Sequence, residues 1–190
     1  GYIGLELSSV WSRLGAKVTI LEAMDRMLPT MDQEIAKLAQ RIFARQGLEV
    51  TFGAWVESAQ VVGDHCIVKC KDKEPIECDK VLLSTGRVPN SDSLGLDRIG
   101  LETDKRGFIA VDKNWKTGVG NLYAIGDVIG GAMLAHKGME EGIVCVERIA
   151  GMGSHVNYDC IPAIVYTHPE IASVGKTEEQ LIEGNVNYRK

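Results

Sequence analysis

The chemistry legible in this chain begins with Gly1, Gly4 and Glu22. The opening Gly1-Tyr2-Ile3-Gly4-Leu5-Glu6 reads as the back half of a dinucleotide-binding turn, its first glycine and feeding strand expected upstream in a larger protein. In such a turn Gly1 lets the backbone approach a pyrophosphate, and Gly4 lets the following helix pack closely on its sheet. The helix N-terminus then aims free amides at the phosphates. Glu22 closes Val18-Thr19-Ile20-Leu21, an apolar run expected to form a parallel strand. A carboxylate at that strand end accepts a hydrogen bond from an adenosine ribose 2′-hydroxyl and repels a 2′-phosphate, so the pattern predicts NAD rather than NADP. The plainer alternatives are a solvated glutamate and a chance spacing among 21 glycines.

A second constellation lies further along. Residues 121–125 are expected to form a short strand ending in Gly126-Asp127, and a turn at Gly130-Gly131 then enters a helix over about residues 133–150. Asp127, at a strand end beside a glycine, suits sugar-like hydroxyls. Met133, Leu134, Ala135 and His136 open the helix, where free amides and the positive dipole end favour negative charge, such as that on a reduced flavin's pyrimidine side. For His136 the backbone is expected to matter more than the imidazole. Between the two constellations, residues 80–85 read as a buried parallel strand ending at Gly86, the end at which α/β sheets place ligands.

The elements that must position these groups alternate rather than repeat. Leu5, Leu7, Val10, Trp11 and Leu14 form an amphipathic stretch, and Gly15 turns it. A helix is predicted over residues 32–46, with Ile35, Leu38, Ala39, Ile42 and Phe43 at helical spacing and Gly47 to stop it. A strand follows at 48–52, then three segments near 56–62, 64–71 and 74–78 that read as an antiparallel meander. The five cysteines carry no C-x-x-C and no zinc spacing, so no metal ligand is assigned. Cys66 and Cys70 lie on one extended run, about 13 Å apart, too far for a disulfide. Reduced thiols of an intracellular, cytoplasmic protein are the expectation. Net charge of −5 without a dense basic run argues against nucleic acid, and no apolar stretch has membrane-spanning length.

Taken together, Gly1-Tyr2-Ile3-Gly4-Leu5-Glu6, Val18 to Glu22, Ser84-Thr85-Gly86-Arg87-Val88-Pro89-Asn90 and Tyr123-Ala124-Ile125-Gly126-Asp127 resemble, in order, the flavin-dependent pyridine nucleotide-disulfide oxidoreductases. Met133-Leu134-Ala135-His136-Lys137 running to Glu141-Gly142, and Ile161-Pro162-Ala163-Ile164-Val165-Tyr166-Thr167-His168-Pro169-Glu170 with Val174 to Leu181, are similar to the dihydrolipoamide dehydrogenase branch, and to its bacterial members. The resemblance covers essentially the whole chain. It implies FAD and NAD as cofactors, a homodimer, and lipoyl domains of 2-oxoacid dehydrogenase complexes as partners. Electrons would run from dihydrolipoyl groups through a disulfide and flavin to NAD. It also implies an α/β fold: a Rossmann-like NAD-binding domain lacking its first strand (1–90), the second segment of a Rossmann-like FAD domain (91–157), and the start of an α+β dimerisation domain (158–190).

Carried over residue by residue, the resemblance makes Gly1, Gly4, Glu6, Glu22, Val56 and Gly86 the NAD shell, with Glu6 toward the nicotinamide and Val56 near the adenine. For Val56 plain packing is an equal alternative. Asp127 becomes the flavin ribityl contact, and Met133, Leu134, Ala135 and His136 the backbone cradle of its ring; Lys137 is expected to be a solvated charge. The family's redox cysteine pair and its C-terminal His-Glu pair have no counterpart here, and His168-Pro169-Glu170 is read as structural. No catalytic residue is therefore assigned, and the chain alone is expected to be inactive. Gly138 stands where many relatives carry alanine. The alternatives are another NAD-linked flavin disulfide reductase, or a non-catalytic nucleotide-binding or interaction piece.

Overall fold

A computed structural model describes residues 1–190. It divides into two compact units, one formed by Gly1–Thr85 with Ile164–Lys190 and the other by Gly86–Ala163.

In the first unit the periodicities resolve into α1 (Tyr2–Arg13), β1 (Thr19–Leu21), α2 (Gln33–Arg45) and β2 (Glu49–Thr51). β1 and β2 pair in parallel, with Ile20 opposite Val50, so α2 is the crossover that parallel pairing requires. The Asp32 side chain caps α2 by accepting from the Glu34 N–H at 2.9 Å, and Gly47 takes a left-handed φ of 83° just past the helix end. The buried stripe of α2 is Ala36, Ala39 and Phe43, whereas Ile35 and Leu38 of the predicted stripe are exposed. β3 (Val56–Val62), β4 (His65–Cys70) and β5 (Ile76–Cys78) form the expected antiparallel meander. Its register sets Cys66 opposite Cys78, a pairing across strands that spacing along one strand does not reveal. All five thiols are free.

The C-terminal segment of this unit holds β6 (Ala163–Val165), β7 (Ile171–Ser173) and α4 (Glu178–Glu183), with β6 and β7 paired. Val165 is fully buried. Polar ties fix the segment to the first turns of the earlier helices. The second Asp32 oxygen accepts from the Glu178 N–H at 3.0 Å, Glu179 accepts from the Gln33 N–H at 2.9 Å, and Glu6 accepts from the Tyr166 N–H at 2.9 Å.

Two expectations fail in this unit. Residues 80–85 form no strand: nothing in this chain pairs alongside them, and Val81, Leu82 and Leu83 stay 45, 52 and 80 % exposed. A buried parallel strand needs a neighbour on each edge and cover on each face. Leu7, Val10 and Trp11 of α1, and Leu14 at its C-terminal cap, are likewise exposed, and only Leu5 of the predicted stripe is buried.

The second unit is mostly turns built onto α3 (Ala135–Ile149). Leu101, Ile109 and Ala124 make one buried cluster, and Trp115, Val144 and Cys145 make another. Ile129 packs against both. Asp112 shapes the loop that carries Trp115 by accepting from the Asn114 and Lys116 N–H groups at 2.8 and 3.0 Å. The expected strand at 121–125 reduces to a single bridge between Lys116 and Tyr123. Two hydrogen bonds make that bridge, from the Thr117 N–H to the Leu122 carbonyl and from the Ala124 N–H to the Trp115 carbonyl. No helix in the structure is long and apolar enough to cross a membrane.

The doubly engaged Asp32 gives a test. The Glu178 N–H, ahead of those of Glu34 and Ile35, holds its carboxyl below the ordinary range. A lowered native pKa means that the stabilisation is present at neutral pH and is lost as pH falls through the native value. Asp32→Ala should lower Tm by about 2–4 °C, the loss of one cap worth roughly 1 kcal/mol. The difference from wild type should shrink in acid, and thermal melts across pH check both statements.

Candidate functional site

Each unit carries one polar constellation. In the first, α1 starts at Tyr2 with Gly1 as its cap, and no side chain competes for the first-turn amides. Glu22 follows β1 directly. Its Oε2 lies 2.9 Å from the Gly1 nitrogen and its Oε1 accepts from the Met24 N–H at 3.1 Å. Folding therefore joins the two ends of the pattern, the glycine turn and the acid at the strand end. Glu22 is partly buried, and its Oε1 is fixed by the Met24 amide. Its carboxylate is an anion at neutral pH.

Gly4 lies against residue 84 rather than against a sheet strand. A Cβ there would stand 2.8 Å from the Ser84 Oγ, so the bare backbone is what lets residues 80–85 approach α1. Glu6 is half-buried and committed to the Tyr166 N–H. Val56 begins β3 opposite Cys70 and is half-exposed. Gly86 belongs to the second unit, with a φ of 126° that favours glycine.

In the second unit, a 3-10 turn over Gly126–Ile129 presents Asp127, whose Oδ2 accepts from Arg87 Nη2 at 3.1 Å. Both side chains are substantially exposed, so this pair is worth little and yields readily to a ligand. α3 starts at Ala135 with Leu134 as its cap residue and no side-chain cap, leaving its first amides free. Met133 and Leu134 are half-buried, and Ala135 and His136 are exposed. The His136 imidazole is anchored, its Nε2 lying 2.8 Å from the Pro162 carbonyl to which it donates.

Lys137 is not a solvated charge. It is 2 % exposed, Glu141 is 1 % exposed, and their charged atoms meet at 2.9 and 3.0 Å. Glu141 Oε2 also accepts from the Gly126 N–H at 2.7 Å, and Oε1 accepts from the Tyr158 hydroxyl at 2.8 Å. Burial, with that bond to Glu141, pushes the Tyr158 phenol up. The signal was in the sequence: Lys137 and Glu141 fall on the same helical stripe as Val144 and Cys145, both buried. Gly138 also has a reason beyond propensity. A Cβ there would stand 3.3 Å from the Gly126 Cα, so the turn lies directly on the helix backbone.

No group of His, Cys, Asp and Glu residues in the structure is arranged to hold a metal ion. What the two constellations offer is complementary chemistry. The first holds an oriented carboxylate beside a glycine turn, and the second a readily freed carboxylate beside unpaired helix amides. Both suit a ligand that combines hydroxyls with phosphates or other negative charge.

Residues 1–142 match the family described as pyridine nucleotide-disulphide oxidoreductase, and residues 161–190 match the dimerisation domain of the same family. The chain is 48% identical over its full length to the mitochondrial dihydrolipoyl dehydrogenase of Pisum sativum, and 50% identical over 95% of its length to the dihydrolipoyl dehydrogenase of Cupriavidus necator. It spans 39% of the length of each. Among solved structures, LpdA of Mycobacterium tuberculosis superposes with a TM-score of 0.92 at 30% identity, covering all of this chain and 41% of that one.

The buried pair predicts an asymmetric response to mutation. Lys137→Ala strands the Glu141 carboxylate and should destabilise the protein by about 3–5 kcal/mol in urea unfolding. A loss below about 1 kcal/mol would mean that water reaches the pair.

Proposed function

This chain belongs to the pyridine nucleotide-disulphide oxidoreductase family, and we propose that it is part of a dihydrolipoamide dehydrogenase serving 2-oxoacid dehydrogenase complexes. The intact protein moves electrons from dihydrolipoyl groups through a disulfide and FAD to NAD. The observation that carries the nucleotide half of this reading is the Glu22 carboxylate at the end of β1, its Oε1 fixed by the Met24 amide and the start of α1 at Gly1 beside it. The substrate half rests on the likeness to two dihydrolipoyl dehydrogenases across nearly the whole chain.

In this reading residues 1–90 are NAD domain, 91–157 the second flavin-domain segment, and 158–190 the start of the dimerisation domain. Gly1 and Gly4 open the phosphate side, Glu22 takes the ribose hydroxyls, and Glu6, Val56 and Gly86 complete the NAD shell. Asp127 takes the flavin ribityl hydroxyls, and Met133, Leu134, Ala135 and His136 lie along the ring. The donor set fits that group: a half-exposed carboxylate, uncapped helix amides, and a glycine-on-glycine contact that keeps the turn flush with α3. FAD, when bound, supplies the two-electron relay between a disulfide and NAD. This chain's residues supply its binding and orientation, and none of them is assigned a proton or electron transfer. The chain alone is inactive in this account.

The dimerisation-domain match supports a homodimer, and lipoyl domains are the proposed partners. Five free thiols suit a reducing compartment, and the cytoplasm is the location we assign.

Glu22→Ala in the intact protein tests the nucleotide assignment. It should raise KM for NAD by about tenfold or more, the effect of one lost hydrogen bond to a charged acceptor. KM for dihydrolipoamide should stay unchanged. Steady-state kinetics with each substrate varied in turn would read this, and an unaltered KM for NAD would contradict the assignment.

A further inference from the structure

We propose that Lys137, Glu141 and Tyr158 form a positioning network that presets the Gly126–Asp127 turn for the flavin, an inference that rests on the flavin reading above. The atoms are fully accounted for. The Gly126 N–H ends on Glu141 Oε2 at 2.7 Å, and the Gly126 carbonyl lies 3.4 Å from Lys137 Nζ. Both polar groups of the residue preceding Asp127 therefore end in one buried ion pair. The helix backbone at Gly138, one residue past Lys137, is what the Gly126 Cα rests on. Tyr158 saturates Oε1 from the connector toward β6, and His136 reaches the same connector at Pro162.

Stability does not account for charges at these positions. Taking an ammonium and a carboxylate out of water costs as much as their attraction returns, and apolar residues of similar volume commonly do as well or better. An apolar pair cannot accept the Gly126 N–H. The charged pair is therefore explained by what it orients: a φ of 73° at Gly126 and, through it, the direction in which Asp127 leaves the turn.

Lys137→Met with Glu141→Leu, made together in the intact protein, separates the two roles. Both charges go at once, so no buried ion is stranded. The prediction is a protein that still folds and loses less stability than Lys137→Ala does, an FAD dissociation constant raised at least about tenfold for the lost backbone acceptor, and faster hydrogen exchange at the Gly126 amide in the apoprotein. A double variant that binds FAD as tightly as wild type would overturn the network. Should the double variant fail to fold, Tyr158→Phe decides on the same FAD titration: weakening of about threefold supports the network, and unchanged binding overturns it. A wild-type protein that takes up no FAD would instead overturn the flavin reading on which the proposal stands.

Discussion

The carboxylate of Glu141 has almost no access to water, and the second unit is arranged around satisfying it. A buried anion needs a counter-charge and donors for its lone pairs. Lys137 one turn earlier supplies the charge, and a turn amide and a phenol supply the remaining donors. The same stripe of α3 continues through Val144 and Cys145 onto Trp115. Beyond that stripe, the Arg148 guanidinium lies 5.4 Å from the centroid of the Trp115 ring and donates to the Ser154 and Lys113 carbonyls. One helix face thus shifts from ion pair to apolar cluster to cation–π contact. A unit with little regular structure besides α3 is ordered by that face.

Carboxylates play a related part in the first unit, where their partners are backbone amides far along the chain. Asp32 serves two helix starts, and Glu6 serves Tyr166. In each case an N–H that a helix or strand leaves unpaired finds an acceptor, which is why short elements such as β6, β7 and α4 can be held at all. Glu22 differs in kind. Its Oε1 is tied to the Met24 amide just past its own strand end, and Gly1 at the start of α1 lies beside its Oε2.

Local patterns in the sequence foretold the elements whose determinants are local. α2 with its Asp32 and Gly47 ends, the three-stranded meander and the β1–β2 crossover all follow from periodicity and turn residues. What depends on partners distant in sequence was not legible in this way. Residues 80–85 have strand composition, yet strand formation is a property of the neighbours, and none lies beside them. The Cys66–Cys78 apposition is a matter of register. A lysine taken alone carries no sign of burial. For Lys137 the helical stripe with Glu141 and Val144 was the better guide.

The most direct measurement is anaerobic stopped-flow absorbance of the intact protein mixed with dihydrolipoamide and then with NAD or NADP. The account predicts that dihydrolipoamide reduces the bound flavin and that NAD reoxidises it rapidly while NADP does so slowly or not at all. A flavin that dihydrolipoamide leaves oxidised would contradict the assigned substrate. Reoxidation by NADP as fast as by NAD would contradict the role given to Glu22.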